Sequence, residues 1–137
     1  MIGSGKNFVR TMQQLAGNGV SPTVVDDQVG RLTFTGELSR ATRHLLDVAA
    51  PYGTYNVSNG GDPMSFADVA RAVFEHCGRS TADVSSVSTE EYFAGKDLAP
   101  RPLRSVMDLA KLRATGFEPE DARVALERYL AVSISAG

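Results

Sequence analysis

The sequence predicts an α/β fold, and three observations carry that reading. Short extended candidates alternate with segments of helical apolar spacing. Glycines and prolines stand at the junctions between them, and no repeat, low-complexity tract or long linker interrupts the pattern. Alternation of this kind indicates α/β organisation rather than a helical bundle or a β-sandwich. With 137 residues, 42% hydrophobic and 22% charged, the chain has the balance of one soluble globular domain, or of part of a larger one. Disordered and collagen-like classes are excluded.

Each element has its own signal. Phe8, Val9, Met12, Leu15 and Ala16 share one face of a helix predicted from about Asn7 to Ala16, with Gly17 and Gly19 as its stop. Val20–Val25 and Leu32–Thr35 are short strand candidates, and Pro22 confines the first to an edge. Thr35 can cap a second helix running towards Ala49, with Leu38, Ala41, Leu45 and Ala49 as its inner stripe. Gly53–Val57 reads as a strand between Pro51 and the Asn59-Gly60-Gly61 turn. Ser65 and Asp68 form an approximate capping box ahead of Phe66, Val69, Ala70, Val73, Phe74 and Cys77, which keep helical spacing up to the stop at Gly78. Asp83–Val87 is a further strand candidate. Asp108 can cap a short helix ending at Gly116. Pro119 suits the first turn of a last helix whose core face is Ala122, Ala125, Leu126, Tyr129 and Leu130.

Composition narrows the function. Sixteen acidic against fourteen basic residues give a net charge of −2, the wrong balance for a nucleic-acid or anionic-membrane binder. No apolar run has the length of a membrane span, and residues 1–6 lack the pattern of a signal peptide. One cysteine and two histidines exclude an internal disulfide and argue against a zinc site. The expectation is a cytoplasmic, metal-poor protein without nucleic-acid or membrane partners.

Most short motifs fail on their chemistry. Gly3-x-Gly5-Lys6 lacks the remaining positions of a phosphate loop, and Phe8 stands where a dinucleotide fingerprint needs its third glycine. Tyr92-x-x-x-Lys96 has the spacing of an acid and its pKa-lowering lysine, but Gly95 and the Ala99-Pro100 pair break the helix that must place both on one face. His44, His76 and Cys77 read as structural or surface residues, Asn56-Val57-Ser58 as an unused glycosylation acceptor, and Glu90-Glu91 as a helix-start charge pair. Arg31 and Arg101 are more informative. Pro100 and Pro102 stiffen the backbone around Arg101, and a guanidinium fork on a stiff loop suits bidentate capture of phosphate or carboxylate.

Four segments then become familiar. Lys6-Asn7-Phe8-Val9-Arg10-Thr11-Met12, Val24-Val25-Asp26-Asp27-Gln28-Val29-Gly30-Arg31-Leu32-Thr33, Gly53-Thr54-Tyr55-Asn56-Val57-Ser58 and Ala99-Pro100-Arg101-Pro102-Leu103-Arg104-Ser105 resemble the dTDP-4-dehydrorhamnose reductases. These are extended short-chain dehydrogenases that reduce a 4-keto sugar with NADPH in the last step of dTDP-L-rhamnose synthesis. The Asp-Gln-x-Gly-x-x-Thr stretch is the more specific match; the Arg-Pro segment is shared more widely among nucleotide-sugar dehydrogenases. The resemblance implies the C-terminal, substrate-binding portion of such an enzyme over residues 1–137, with the last strand and helices of its Rossmann fold and without the cofactor half. It implies that Asn7 and Phe8 line the sugar-nucleotide cleft, that Gln28, Arg31 and Thr33 sit over the sugar and diphosphate, and that Arg101 grips the diphosphate. No catalytic residue is expected in this chain. NADPH belongs to the full-length family, bound mainly by the other half, and the chain alone is expected to be inactive and to form homo-oligomers. Leu32 departs from the proline frequent in the family. Two rival readings share the fold: another nucleotide-sugar epimerase or dehydratase portion, and a non-catalytic binding or regulatory module.

Overall fold

The structure is a computed structural model that describes residues 1–95, 99 and 101–134. Its elements run α1 (Phe8–Gly17), β1 (Thr23–Val25), β2 (Val29–Gly30), α2 (Thr35–Asp47), β3 (Met64–Ser65), α3 (Phe66–His76), a 3₁₀ turn (Thr81–Asp83), β4 (Ser85–Val87), α4 (Thr89–Phe93), α5 (Ala110–Arg113) and α6 (Ala122–Ile134). The α/β class is therefore observed. The chain folds as two compact units, Met1–Gly5 with Arg31–Asp62 and Val106–Gly137, and Lys6–Gly30 with Pro63–Ser105.

The four strands among the described residues lie in the second unit. β1 and β4 pair in parallel, with Thr23 opposite Ser85 and Val25 opposite Val87. β2 and β3 pair antiparallel, Val29 with Ser65 and Gly30 with Met64. The core behind them comes from the apolar stripes of two helices: Val9, Met12 and Ala16 of α1, and Ala67, Val69, Ala70, Val73 and Phe74 of α3 are buried. The α3 prediction holds for its cap and for the buried Val69, Ala70, Val73 and Phe74, whereas Cys77, expected on the same stripe, caps the helix from beyond its end and is exposed. Ser65 Oγ accepts from Asp68 N–H at 3.1 Å while Asp68 Oδ2 accepts from Ser65 N–H at 3.0 Å, completing the capping box. Gly78 closes the helix at φ +74°, a left-handed conformation that side chains disfavour.

In the first unit α2, α5 and α6 enclose a core that includes Phe34, Ala41, Leu112, Phe117, Ala122, Ala125, Leu126 and Leu130. Tyr129 is half-buried, tilted against Phe34 with ring centroids 5.7 Å apart, and its hydroxyl donates to the Gly3 carbonyl. The inner face predicted for α6 is thus the observed one.

Several expectations need correction. The first strand is only Thr23–Val25. Leu32–Thr35 forms no strand; Phe34 makes a single parallel bridge with Ile2. Gly53–Val57 is not a strand either. It is tied to the rest of its unit by two side-chain bonds instead: Lys111 Nζ donates to Thr54 O at 2.9 Å, and the Asn56 side chain donates from Nδ2 to Asp108 O at 3.1 Å. Phe34, not Thr35, is the cap residue of α2, and no side chain caps that helix. Ala49, expected on the inner stripe, is exposed beyond the helix end at φ +48°. Pro119 precedes α6 instead of entering it, because Asp121 Oδ1 takes the N–H groups of Arg123 and Val124 and sets the start.

Candidate functional site

Two capped helix starts build one wall of a cleft in the second unit. Asn7 has an extended backbone and its Oδ1 accepts from Arg10 N–H at 3.1 Å, so α1 begins at Phe8. The capping box likewise places Phe66 at the first position of α3. The two rings meet edge to face, with centroids 5.0 Å apart. β1 and the inner positions of α1 line the floor. Opposite, Tyr92 and Phe93 of α4 form a second edge-to-face pair at 5.1 Å. The open cleft has a volume of about 410 Å³, and besides this largely apolar lining it presents Gln28 and Arg101.

Gln28 is only 6% exposed. Its Nε2 donates to Thr89 Oγ1 at 3.0 Å, and Thr89 Oγ1 donates in turn to Asp27 Oδ1 at 2.5 Å. The Thr89 N–H also donates to both Asp27 oxygens, at 3.0 and 2.9 Å. These bonds from the Thr89 side chain and backbone hold the Asp27 carboxyl below its ordinary value of 3.8. Asp27 therefore anchors the first residue of α4 beside the cleft.

The rest of the Asp-Gln-x-Gly stretch holds the arginine segment. Val29 N–H donates to Leu103 O at 2.7 Å and Ser105 N–H to Val29 O at 2.9 Å. A Cβ on Gly30 would lie 2.5 Å from Ser105 Oγ, so glycine there permits the close approach. Arg101, exposed and one residue before Pro102, is carried to the cleft by this pairing. Pro100 lies outside the described residues.

The cleft thus brings together Phe8, Gln28 and Arg101, with Asn7 adjoining as a helix cap. Arg31 and Thr33 are not in its lining. They belong to the first unit, where Arg31 donates from Nε to Gly61 O at 2.8 Å and from Nη1 to Met107 O at 3.1 Å, and Thr33 O accepts from Ile2 N–H. α4 ends at Phe93, and Gly95 takes φ +73°; Lys96 lies outside the described residues. His44 Nε2 meets Thr115 O and Oγ1 at 3.0 and 3.1 Å, and its ring lies against Phe117, a structural setting. Among the described residues no cluster of histidine, cysteine and carboxylates could hold a metal, and no helix is long and apolar enough to cross a membrane. Sequence reasoning missed Asp27, Phe66 and Thr89.

A family model described as the RmlD substrate binding domain matches residues 2–134. The chain is 39% identical over 132 residues to the spore coat polysaccharide biosynthesis protein SpsK of Bacillus subtilis, covering 96% of this chain and 44% of that protein. It is 33% identical over 135 residues to a dTDP-4-dehydrorhamnose reductase of Mycolicibacterium smegmatis, covering 98% and 40%. The crystal structure of dTDP-4-dehydrorhamnose reductase from Bacillus anthracis in complex with NADP superposes with a TM-score of 0.82 at 33% identity, over 94% of this chain and 44% of that one. The chain spans less than half the length of these relatives.

Proposed function

The chain belongs to the RmlD substrate binding domain family, and from that premise we propose that its cleft binds the dTDP-sugar of a dTDP-4-dehydrorhamnose reductase. The observation that carries this reading is the convergence of Phe8, Gln28 and Arg101 on one slot with largely apolar, aromatic walls. Such a slot takes a flat base or the apolar face of a sugar. The exposed Arg101 fork suits the diphosphate, with charge-assisted contacts worth roughly 1.5–3 kcal/mol each. Asn7 supports the site by fixing where α1 begins. Arg31 stays outside this proposal, since its guanidinium ties two loop carbonyls within its own unit.

In the reductases that resemble this chain, NADPH supplies hydride. The residues present here do not fit the diphosphate of a dinucleotide: Asn7 caps α1 with its own side chain, and Phe8 fills the place of a glycine. The contribution of this chain is therefore to bind and orient the nucleotide sugar, and by itself it should not oxidise NADPH. Calorimetric titration with dTDP-rhamnose tests the reading. Arg101→Ala should weaken binding by about ten-fold or more, the equivalent of ~1.4 kcal/mol. Unchanged affinity in that variant would overturn the assignment.

A further inference from the structure

We propose that Gln28 is the hydrogen-bond acceptor that reads the imide N–H of a uracil or thymine ring, and that Thr89, backed by Asp27, is the residue that positions its amide for this. The inference rests on the reading of the cleft as a nucleotide-sugar site and adds which chemical group is read, by which atom.

Gln28 is 94% buried by its 6% exposure, yet it lines the cleft. Its nitrogen is committed to Thr89. Among the described residues nothing donates to its Oε1, and no sealed side-chain oxygen lacks a partner. That oxygen is therefore open to the cleft. Its polarity is enforced by the chain of bonds behind it. An ionised carboxylate can only accept, so Asp27 obliges the Thr89 hydroxyl to donate to it. The Thr89 oxygen is then left to accept, and the amide must turn its NH₂ that way and its carbonyl the other. The order of donors along Gln28, Thr89 and Asp27 leaves an acceptor as the polar group that Gln28 offers in this slot.

A planar ring with one N–H between two carbonyls complements that arrangement. Its faces suit the edges of Phe8 and Phe66, and its N–H meets the acceptor fixed on Gln28. A cytosine ring carries a bare acceptor nitrogen at the same place, which would face Gln28 Oε1 and be repelled. A site built around a hydrogen bond rejects an analogue that cannot make it more strongly than an apolar pocket rejects a change in size.

Calorimetry on the full chain with dTDP, N3-methyl-dTDP and dCDP tests this. The unsubstituted protein should bind dTDP roughly ten-fold or more tightly than either analogue. Thr89→Val should lower dTDP affinity towards that of the analogues, with little change in theirs, and Thr89→Ser should restore discrimination. A merely structural role would weaken all three ligands together, in Thr89→Val as in any destabilised variant, and would overturn the positioning assignment. Gln28→Met keeps the side-chain volume without the acceptor and should bind dTDP and dCDP alike, a readout independent of whether Thr89→Val folds. If N3-methyl-dTDP binds the unsubstituted protein as tightly as dTDP, the assignment of Gln28 fails while the nucleotide-sugar reading stands. If dTDP does not bind the folded chain at all, both fail.

Discussion

Glu37 has the composition of a surface residue and the environment of a core one. Its side chain is 3% exposed. Both carboxylate oxygens accept from Arg40, at 2.8 and 3.0 Å, and Oε1 also takes the Glu120 N–H at 2.9 Å. The Arg40 guanidinium in turn covers the Phe117 ring at 4.2 Å. Glu37→Ala should cost about 1–3 kcal/mol, because a backbone donor and a guanidinium lose their acceptor together; the midpoint of urea denaturation measures it, and no change would sink the idea. The stripe predicted for α2 omitted this residue, since hydropathy cannot anticipate a carboxylate whose partners lie 3 and 83 positions away. Asp27 and Thr89, 62 positions apart, were illegible for the same reason, whereas Gln28 and Arg101, which line the cleft, were singled out through the segments around them. Asp27 also gives a pH dependence of definite sign. Thr89 holds its folded pKa below the ordinary 3.8, so the anchoring it provides is complete above that value and is lost as pH falls through the lower, folded one. Acid titration followed by near-ultraviolet circular dichroism should show a transition below about pH 4 that Asp27→Asn alters; superimposable curves would exclude the anchor.

At the level of elements, what could be read depends on how far the determining contacts reach along the chain. α3 was read with its cap, its stop and all of its inner face but Cys77, which is exposed past the helix end, because those signals lie within four residues of where they act. Its box predicts a further result: Ser65→Ala removes one of two reciprocal caps and should cost roughly 1 kcal/mol, seen as a lower thermal midpoint, with Ser65→Asp retaining most of the stability. A midpoint unchanged by Ser65→Ala would mean that the box contributes nothing. The strands are the opposite case. β2 has two residues and β1 three, lengths at which no alternation can show, and their partners lie 36 and 62 positions on. Propensity placed strands at Leu32–Thr35, which makes one bridge with Ile2 and a bond from the Phe34 N–H to Asn59 Oδ1, and at Gly53–Val57, which joins no ladder; only pairing over long distances separates such segments from strands.

For the molecule as a whole, the segment that failed to become a strand decides the expected association state. The backbone N–H groups of residues 54–57 meet no acceptor among the described residues. Close to it in sequence stand Leu46, Val48 and Tyr52, 75%, 47% and 107% exposed. Unpaired donors beside exposed apolar side chains are a template for adding a strand from another copy. A net charge of −2 gives little repulsion to oppose it. The chain is therefore expected to associate with itself through residues 54–57. Light scattering at high micromolar concentration should give a mass above that of the monomer, and amide exchange over these residues should slow as concentration rises. Thr54→Pro deletes one donor while keeping the carbonyl that Lys111 uses, and should shift the balance towards monomer. A strictly monomeric wild type, or association indifferent to the proline, would show that these groups are satisfied by water alone.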